Sequence, residues 1–111
     1  MLLNLMMEKL FVYGTLKNKR IQRAVLGRSD DGEPDELLGF CTSTFKMGNL
    51  LCPVIVSDPS SSVFGLVISV NSEEMKLLDK YETKAYKRVR VTLKSGITTW
   101  VYVENNRINE G

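Results

Sequence analysis

Leu10-Phe11-Val12-Tyr13-Gly14-Thr15-Leu16-Lys17 is the stretch on which the reading of the fold turns. Leu10 to Tyr13 favour extended backbone and are apolar on both faces, so the strand they form belongs inside a sheet rather than at its edge. Gly14-Thr15 breaks the run, and residues Glu8 to Tyr13 therefore read as a buried strand that ends in a tight loop. A loop of this kind leaves backbone N–H groups without strand partners. Glycine admits φ > 0 and close approach of a ligand, and successive free N–H groups form a concavity suited to a carboxylate or oxyanion. An ordinary strand-to-helix turn is the plainer alternative for the same residues.

Working outward, Asn18 stands where it can cap a short helix running to about Leu26. Ile21, Ala24 and Val25 share one side of it, and Gly27 occupies the position where a left-handed C-terminal residue is usual. Arg28 to Pro34 is a loop by composition. Glu36 to Met47 reads as a second strand bent near Gly39, and Met47-Gly48-Asn49 as a turn. A short strand at Val54 to Val56, a turn at Asp58-Pro59-Ser60-Ser61-Ser62 and a strand from Val63 to Val70 follow. Asn71 and Glu74 have capping-box spacing ahead of a helix from Ser72 to about Tyr81, with Met75, Leu78 and Tyr81 on one face. Val89, Val91 and Leu93 alternate with polar residues, Ser95-Gly96 turns the chain, and Ile97 to Val103 returns antiparallel. Trp100 and Tyr102 share one face of that last strand, while Thr99, Val101 and Val103 share the other.

Strands outnumber helices. This order predicts an α+β domain on a curled, mixed sheet, closed into a small β-barrel of about five to seven strands with two short flanking helices. The chain has 111 residues, 43% of them apolar and 25% charged, which suits one domain over residues 1–111. Residues 1–7 read as an apolar extension that includes alternative translation starts, and 104–111 as a polar tail.

Several chemistries drop out on composition. The sequence has no histidine, which excludes Ser-His-Asp and Cys-His machinery and HExxH zinc sites, so a proton handler here is a carboxylate, lysine, tyrosine or water. Cys41 and Cys52 lack metal-site spacing and read as reduced thiols, consistent with a cytoplasmic setting. No stretch is long enough to span a membrane. A net charge of +2 does not advertise a nucleic-acid partner. The local basic cluster of Lys19, Arg20, Arg23 and Arg28 reads as a solvated helix face.

Asp79-Lys80-Tyr81-Glu82 closes the second helix. Glu82 lies beyond the apolar stripe among Tyr81 and Tyr86, where desolvation would raise its pKa. The alternative is a solvent-facing glutamate paired with Lys80, Lys84 or Arg88.

Taken together, Phe11-Val12-Tyr13-Gly14-Thr15-Leu16, Gly39-Phe40, Pro53, Val63-Phe64-Gly65, Leu78-Asp79-Lys80-Tyr81-Glu82, Tyr86-Lys87-Arg88 with Val91, and Trp100-Val101-Tyr102 resemble the γ-glutamylcyclotransferase-like family. The similarity is collinear from about Lys9 to Val103 and strongest to the short γ-glutamylamine cyclotransferase type. The resemblance implies a small mixed barrel in which the Tyr-Gly-Thr-Leu loop and the glutamate face one another across a cavity. It implies Glu82 as catalytic acid/base, with Tyr13, Gly14, Thr15, Leu16 and Tyr86 binding substrate. The implied reaction releases 5-oxoproline from a γ-glutamyl amine or amide without metal or organic cofactor. Small-molecule γ-glutamyl substrates, no nucleic-acid or membrane partner, and a monomer or weak dimer complete that expectation.

Two residues depart from the family pattern: Thr83 stands where glycine often follows the glutamate, and Cys52 where an aromatic often precedes the proline. Cys52 reads as a small buried apolar filler or a pocket residue. A non-catalytic binding domain that keeps the cavity, with the basic cluster near Arg20 and Arg23 contacting a partner or RNA, is the competing reading.

Overall fold

The computed structural model describes residues 7–105. Its elements in chain order are β1 (Met7–Val12), a single 3₁₀ turn (Thr15–Lys17), α1 (Lys19–Leu26), β2 (Glu33–Met47), β3 (Leu50–Asn71), α2 (Ser72–Glu82), β4 (Tyr86–Thr92) and β5 (Thr98–Glu104). The apolar run at residues 1–6 and the tail beyond residue 105 lie outside the described residues.

The sheet order is β2-β3-β1-β5-β4, so β1 is the middle strand, as its two apolar faces require. It pairs antiparallel with β3 and parallel with β5, where Leu10 meets Trp100. Leu10 and Val12 point to one side, packing with Ile68, Val70, Met75 and Leu78 beneath the helices. Phe11 points to the other, into the concave face with Leu37, Val63 and Val101. Trp100 and Tyr102 fall on the helix side, and Val101 and Val103 on the concave side, as the alternation predicts.

The expected closed barrel is a five-stranded half-barrel. The sheet curls until the β4–β5 turn reaches β2, where the Lys94 N–H donates to the Glu36 carbonyl at 2.8 Å and the Ser95 hydroxyl donates to Asp35 at 2.5 Å. β4 and β2 do not pair with each other in the sheet, so the remaining gap between them is not laddered.

The helix signals hold. The Asn18 side chain accepts from the N–H groups of Arg20 and Ile21, and Gly27 closes α1 at φ 79°. Asn71 and Glu74 exchange both capping-box bonds, at 2.8 and 3.0 Å. Along α1, however, Ala24 is exposed and the one fully buried residue is Gln22.

Asp58 to Ser62 does not reverse the chain. Leu38 pairs with Ser62 and Phe40 with Ser57, so residues 58–61 of β3 bulge opposite Gly39 alone and the strand continues. Asp58 holds the bulge by accepting from the Ser60 N–H and from the hydroxyls of Ser60 and Ser61. Gly39 answers with φ 84°, the bend expected there.

Gly65 sits where β3 crosses β1. A Cβ on it would lie 2.4 Å from the Val12 carbonyl oxygen and 2.7 Å from the Phe11 ring, and both belong to the central strand, which has no room to retreat. Gly65→Ala is expected to destabilise the fold by about 1–3 kcal/mol, the usual cost of overpacking a close contact, as read by denaturant unfolding. An unchanged midpoint would mean that β1 and β3 are not in this contact.

Candidate functional site

The site forms where β1 ends and α2 ends. Met75 and Leu78 anchor α2 to the helix-side core, which fixes the direction in which its last residue points. Glu82 then closes a cavity of about 40 Å³ with Tyr13, Gly14, Thr15, Leu16, Pro53 and Tyr102. The loop after the central strand and the helix-end glutamate thus face one space.

Glu82 is half-buried, and burial pushes its carboxyl up to about 7. The surface pairing that composition allowed does not occur. Arg88 is taken by Asp79, at 2.7 and 3.0 Å, and neither Lys80 nor Lys84 forms an ion pair among the described residues. No cation therefore opposes the desolvation of Glu82.

Three phenols, Tyr13, Tyr102 and Tyr86, lie within electrostatic reach of that carboxyl, each held by its own partner. The Tyr13 hydroxyl donates to the Tyr102 carbonyl at 2.6 Å, the Tyr102 hydroxyl to Asp79 at 2.7 Å, and the Tyr86 hydroxyl to the Pro53 carbonyl at 2.5 Å. Burial first, with neighbouring negative charge, raises all three above the ordinary tyrosine value, Tyr86 to about 12. They stay protonated at neutral pH, which leaves Glu82 as the group that exchanges protons there.

The loop departs from expectation in one respect. Gly14 has φ −121°, so left-handed backbone is not the reason for a glycine here. Its Cβ would come within 3.7 Å of the Pro53 ring across the cavity, and the missing side chain leaves that backbone open. The 3₁₀ turn bonds run from the Lys17 N–H to the Gly14 carbonyl and from the Asn18 N–H to the Thr15 carbonyl. The N–H groups of Thr15 and Leu16, at the start of the turn, are the ones such a turn leaves without an internal partner.

Gln22 is the functional neighbour that sequence reasoning missed. Fully buried, it donates from Nε2 to the Leu16 carbonyl and accepts at Oε1 from the Asp30 N–H, both at 2.7 Å. It ties the loop to the segment after α1 from beneath, while Tyr81 reaches Thr15 from above at 3.0 Å. A single glutamine on an otherwise amphipathic helix carries no sequence signal for this role.

Tyr86 does not line the Glu82 cavity; it lines an adjoining cleft and supports Pro53 from there. Cys52 is partly exposed and free, and it lines neither the cavity nor the cleft, so it is neither a buried filler nor a pocket residue. In the basic cluster, Lys19 pairs with Asp31 and Arg28 with Glu74, while Arg20 and Arg23 stay exposed on α1. Among the described residues no cluster of metal-ligating side chains occurs, and no helix is long and apolar enough to cross a membrane.

Thr83, directly after Glu82, has φ 65° and ψ −173°. Glycine alone enters this region freely, and a β-branched residue held there costs on the order of 1–3 kcal/mol. The strain lies at the peptide that aims the Glu82 backbone.

Residues 10–111 match the family described as "Gamma-glutamyl cyclotransferase, AIG2-like". AIG2-like protein C of Arabidopsis thaliana is 32% identical over 83 residues, covering 74% of this chain and 47% of that protein. Protein AIG2 C of the same plant is 31% identical over 107 residues, covering 89% and 64%. The chain thus spans roughly half to two thirds of the length of these relatives. A solution structure of an Arabidopsis thaliana protein superposes with TM-score 0.74 at 30% identity, covering 92% of this chain and 64% of that one. A Homo sapiens protein at 20% identity (TM-score 0.71, 88% and 66% covered) and a structure named "Gamma-glutamyl cyclotransferase" at 18% (0.68, 89% and 67%) share the fold.

Two measurements check this geometry. The Thr83 hydroxyl accepts from the Ala85 N–H at 3.2 Å, so Thr83→Gly is compared with Thr83→Ala, which loses the same bond but keeps the strained backbone, and the glycine variant is expected to be the more stable by about 1 kcal/mol in denaturant unfolding; the reverse order would place residue 83 in an unstrained conformation. The second concerns ionisation. With its folded pKa raised, Glu82 holds its proton in the native state after the unfolded chain has released it, so stability falls as pH rises from about 4.5 to about 7. Glu82→Gln is therefore expected to match the parent in melting temperature near pH 4 and to exceed it at pH 8. Equal melting temperatures at both pH values would mean an exposed carboxylate.

Proposed function

The chain belongs to the Gamma-glutamyl cyclotransferase, AIG2-like family, and from that premise we propose that it cyclises γ-glutamyl amines or amides, releasing 5-oxoproline and the free amine. The observation that carries this reading is the shared cavity: Glu82, poised near neutrality by burial, opens onto the same space as Tyr13, Gly14, Thr15 and Leu16.

Nucleophile and electrophile belong to one substrate, so the protein needs no covalent nucleophile. Its first task is to hold a flexible glutamyl chain in the conformer that brings its α-nitrogen to its own γ-carbon. Well-oriented intramolecular reactions reach effective molarities on the order of 10⁵ M or more. The α-amino group attacks as the free amine: its lone pair forms the nitrogen–carbon bond that closes a five-membered ring, and the Glu82 carboxylate takes the proton that the ring nitrogen sheds as it becomes an amide. Negative charge builds on the former carbonyl oxygen, and the N–H groups of Thr15 and Leu16, to which the 3₁₀ turn itself gives no internal partner, are the donors available to it. The bond to the leaving nitrogen then breaks as the Glu82 carboxyl returns its proton to that nitrogen.

One group serves as base and then as acid because a pKa near the working pH keeps both of its forms accessible. Gln22 and Tyr81 hold the loop from two sides, so the donors keep their direction as charge develops.

The expected pH profile follows directly. kcat/KM for 5-oxoproline release should rise as Glu82 ionises, bend near pH 7, and fall about tenfold per pH unit on the acid side. Glu82→Gln should lower release by roughly 10²- to 10⁴-fold and remove that bend. Undiminished release by this variant would take Glu82 out of the chemistry.

A further inference from the structure

The cavity at Glu82, about 40 Å³, has room for roughly three waters, which suits a reacting centre but not the group that departs from it. Beside it, along the last turn of α2 and against β4 and β5, lies an open cleft of about 650 Å³. That volume is within the range of roughly 300–1,000 Å³ common to ligand sites. The two spaces adjoin. Tyr102 lines both, and Tyr86 of the cleft donates to the carbonyl of Pro53, a residue of the cavity wall. A leaving nitrogen held at Glu82 therefore has the cleft next to it.

The cleft's charge is one-sided. Lys80, Lys84, Lys87 and Arg88 line it, with Asp79 as the acidic residue. Asp79 is already engaged, accepting from the Arg88 guanidinium at 2.7 and 3.0 Å and from the Tyr102 hydroxyl at 2.7 Å. Arg88 is further held by stacking over Trp100, 4.6 Å from the ring centre. The Asp79–Arg88 pair is thus a fixed, neutral part of the wall. Lys80, Lys84 and Lys87 have no carboxylate partner among the described residues. Three unpaired ammonium groups in one cleft exceed the net charge of +2 of the whole chain.

We propose that this cleft receives the leaving half of the substrate and selects leaving amines that carry two or more carboxylates. The substrate class is then an acidic amino acid or acidic peptide joined through its amino group to the γ-carboxyl of glutamate. This inference rests on the cyclotransferase reading above. Opposite charge at a cleft mouth steers and orients an anionic group. A neutral leaving amine gains nothing from the three lysines, and a cationic one is repelled, so the same residues supply discrimination as well as attraction.

The test compares γ-glutamyl-glutamate with its analogue in which both carboxyl groups of the leaving residue are carboxamides. The expected ratio of kcat/KM, acid over diamide, is about tenfold or more at low salt and narrows as salt is raised, since charges near the surface are screened. Joint replacement Lys80→Glu, Lys84→Glu and Lys87→Glu should bring the ratio to about one or below, and the milder Lys84→Gln should lower it part of the way. A wild-type ratio near one, with both compounds turned over, overturns the inference and leaves the cyclotransferase reading standing. A strong preference that survives the lysine replacements also overturns it, because the selectivity then lies elsewhere. Release of 5-oxoproline from neither compound overturns this inference, and if γ-glutamyl alkylamines are also left intact the cyclotransferase reading falls with it.

Discussion

The second half of β1, Leu10 to Val12, has no face free for solvent and must be covered twice, and the rest of this structure follows from how that demand is met. On one side the cover is α1 and α2, on the other the curl of its own sheet. The contact is tight enough that β3 carries glycine where it passes Val12. Because both covers converge on the strand's end, the loop after Tyr13 emerges at the seam between them. The end of α2 is drawn over that seam by Met75 and Leu78, and Glu82 is withdrawn from water as a result. The perturbed carboxyl is a consequence of packing rather than of a neighbouring charge.

Unfavourable terms gather at this seam. A carboxylate loses solvent there without gaining a cation, a β-branched residue is held in backbone that suits glycine, and an amide is buried in α1. Each is tolerated through a specific counterpart. Gln22 satisfies both ends of its amide, the tyrosines each find an acceptor, and the capped start of α2 with its apolar face fixes the helix that carries Glu82. Strain and desolvation concentrated beside a cavity are the usual mark of a site kept for chemistry, and here they meet at two consecutive residues, Glu82 and Thr83.

Local chemistry made much of this legible in advance. Asn18, Gly27, and the Asn71–Glu74 pair act through neighbours a few residues away, so their signals read directly, and β4 and β5 display their faces by alternation. The central place of β1 was legible because both its faces are apolar. What failed was non-local. Asp58 to Ser62 has real turn chemistry, yet β2 continues alongside, and the ladder on either side turns a reversal into a bulge. The full closure expected of the barrel depends on whether two edge strands meet, which neither strand encodes alone. The place of Tyr86 in the adjoining cleft depends on its hydroxyl reaching Pro53, set by a hairpin some thirty residues earlier, which the chain around Tyr86 does not announce. Gln22 and the strain at Thr83 follow from tertiary geometry, and no pattern in the chain announces them.

The parallel pairing of β1 with β5 has a consequence for biosynthesis. The hydroxyl of Tyr13 waits for the carbonyl of Tyr102, 89 residues downstream, and the wall that Tyr102 adds to the cavity waits with it. During translation the β2–β3 hairpin and α2 can form as they emerge, but the first strand stays half-covered until nearly the whole described chain has left the ribosome. Nascent or truncated chains ending before β5 therefore carry Glu82 without the enclosure that tunes it. The enclosure of the site arrives abruptly, with the last strand.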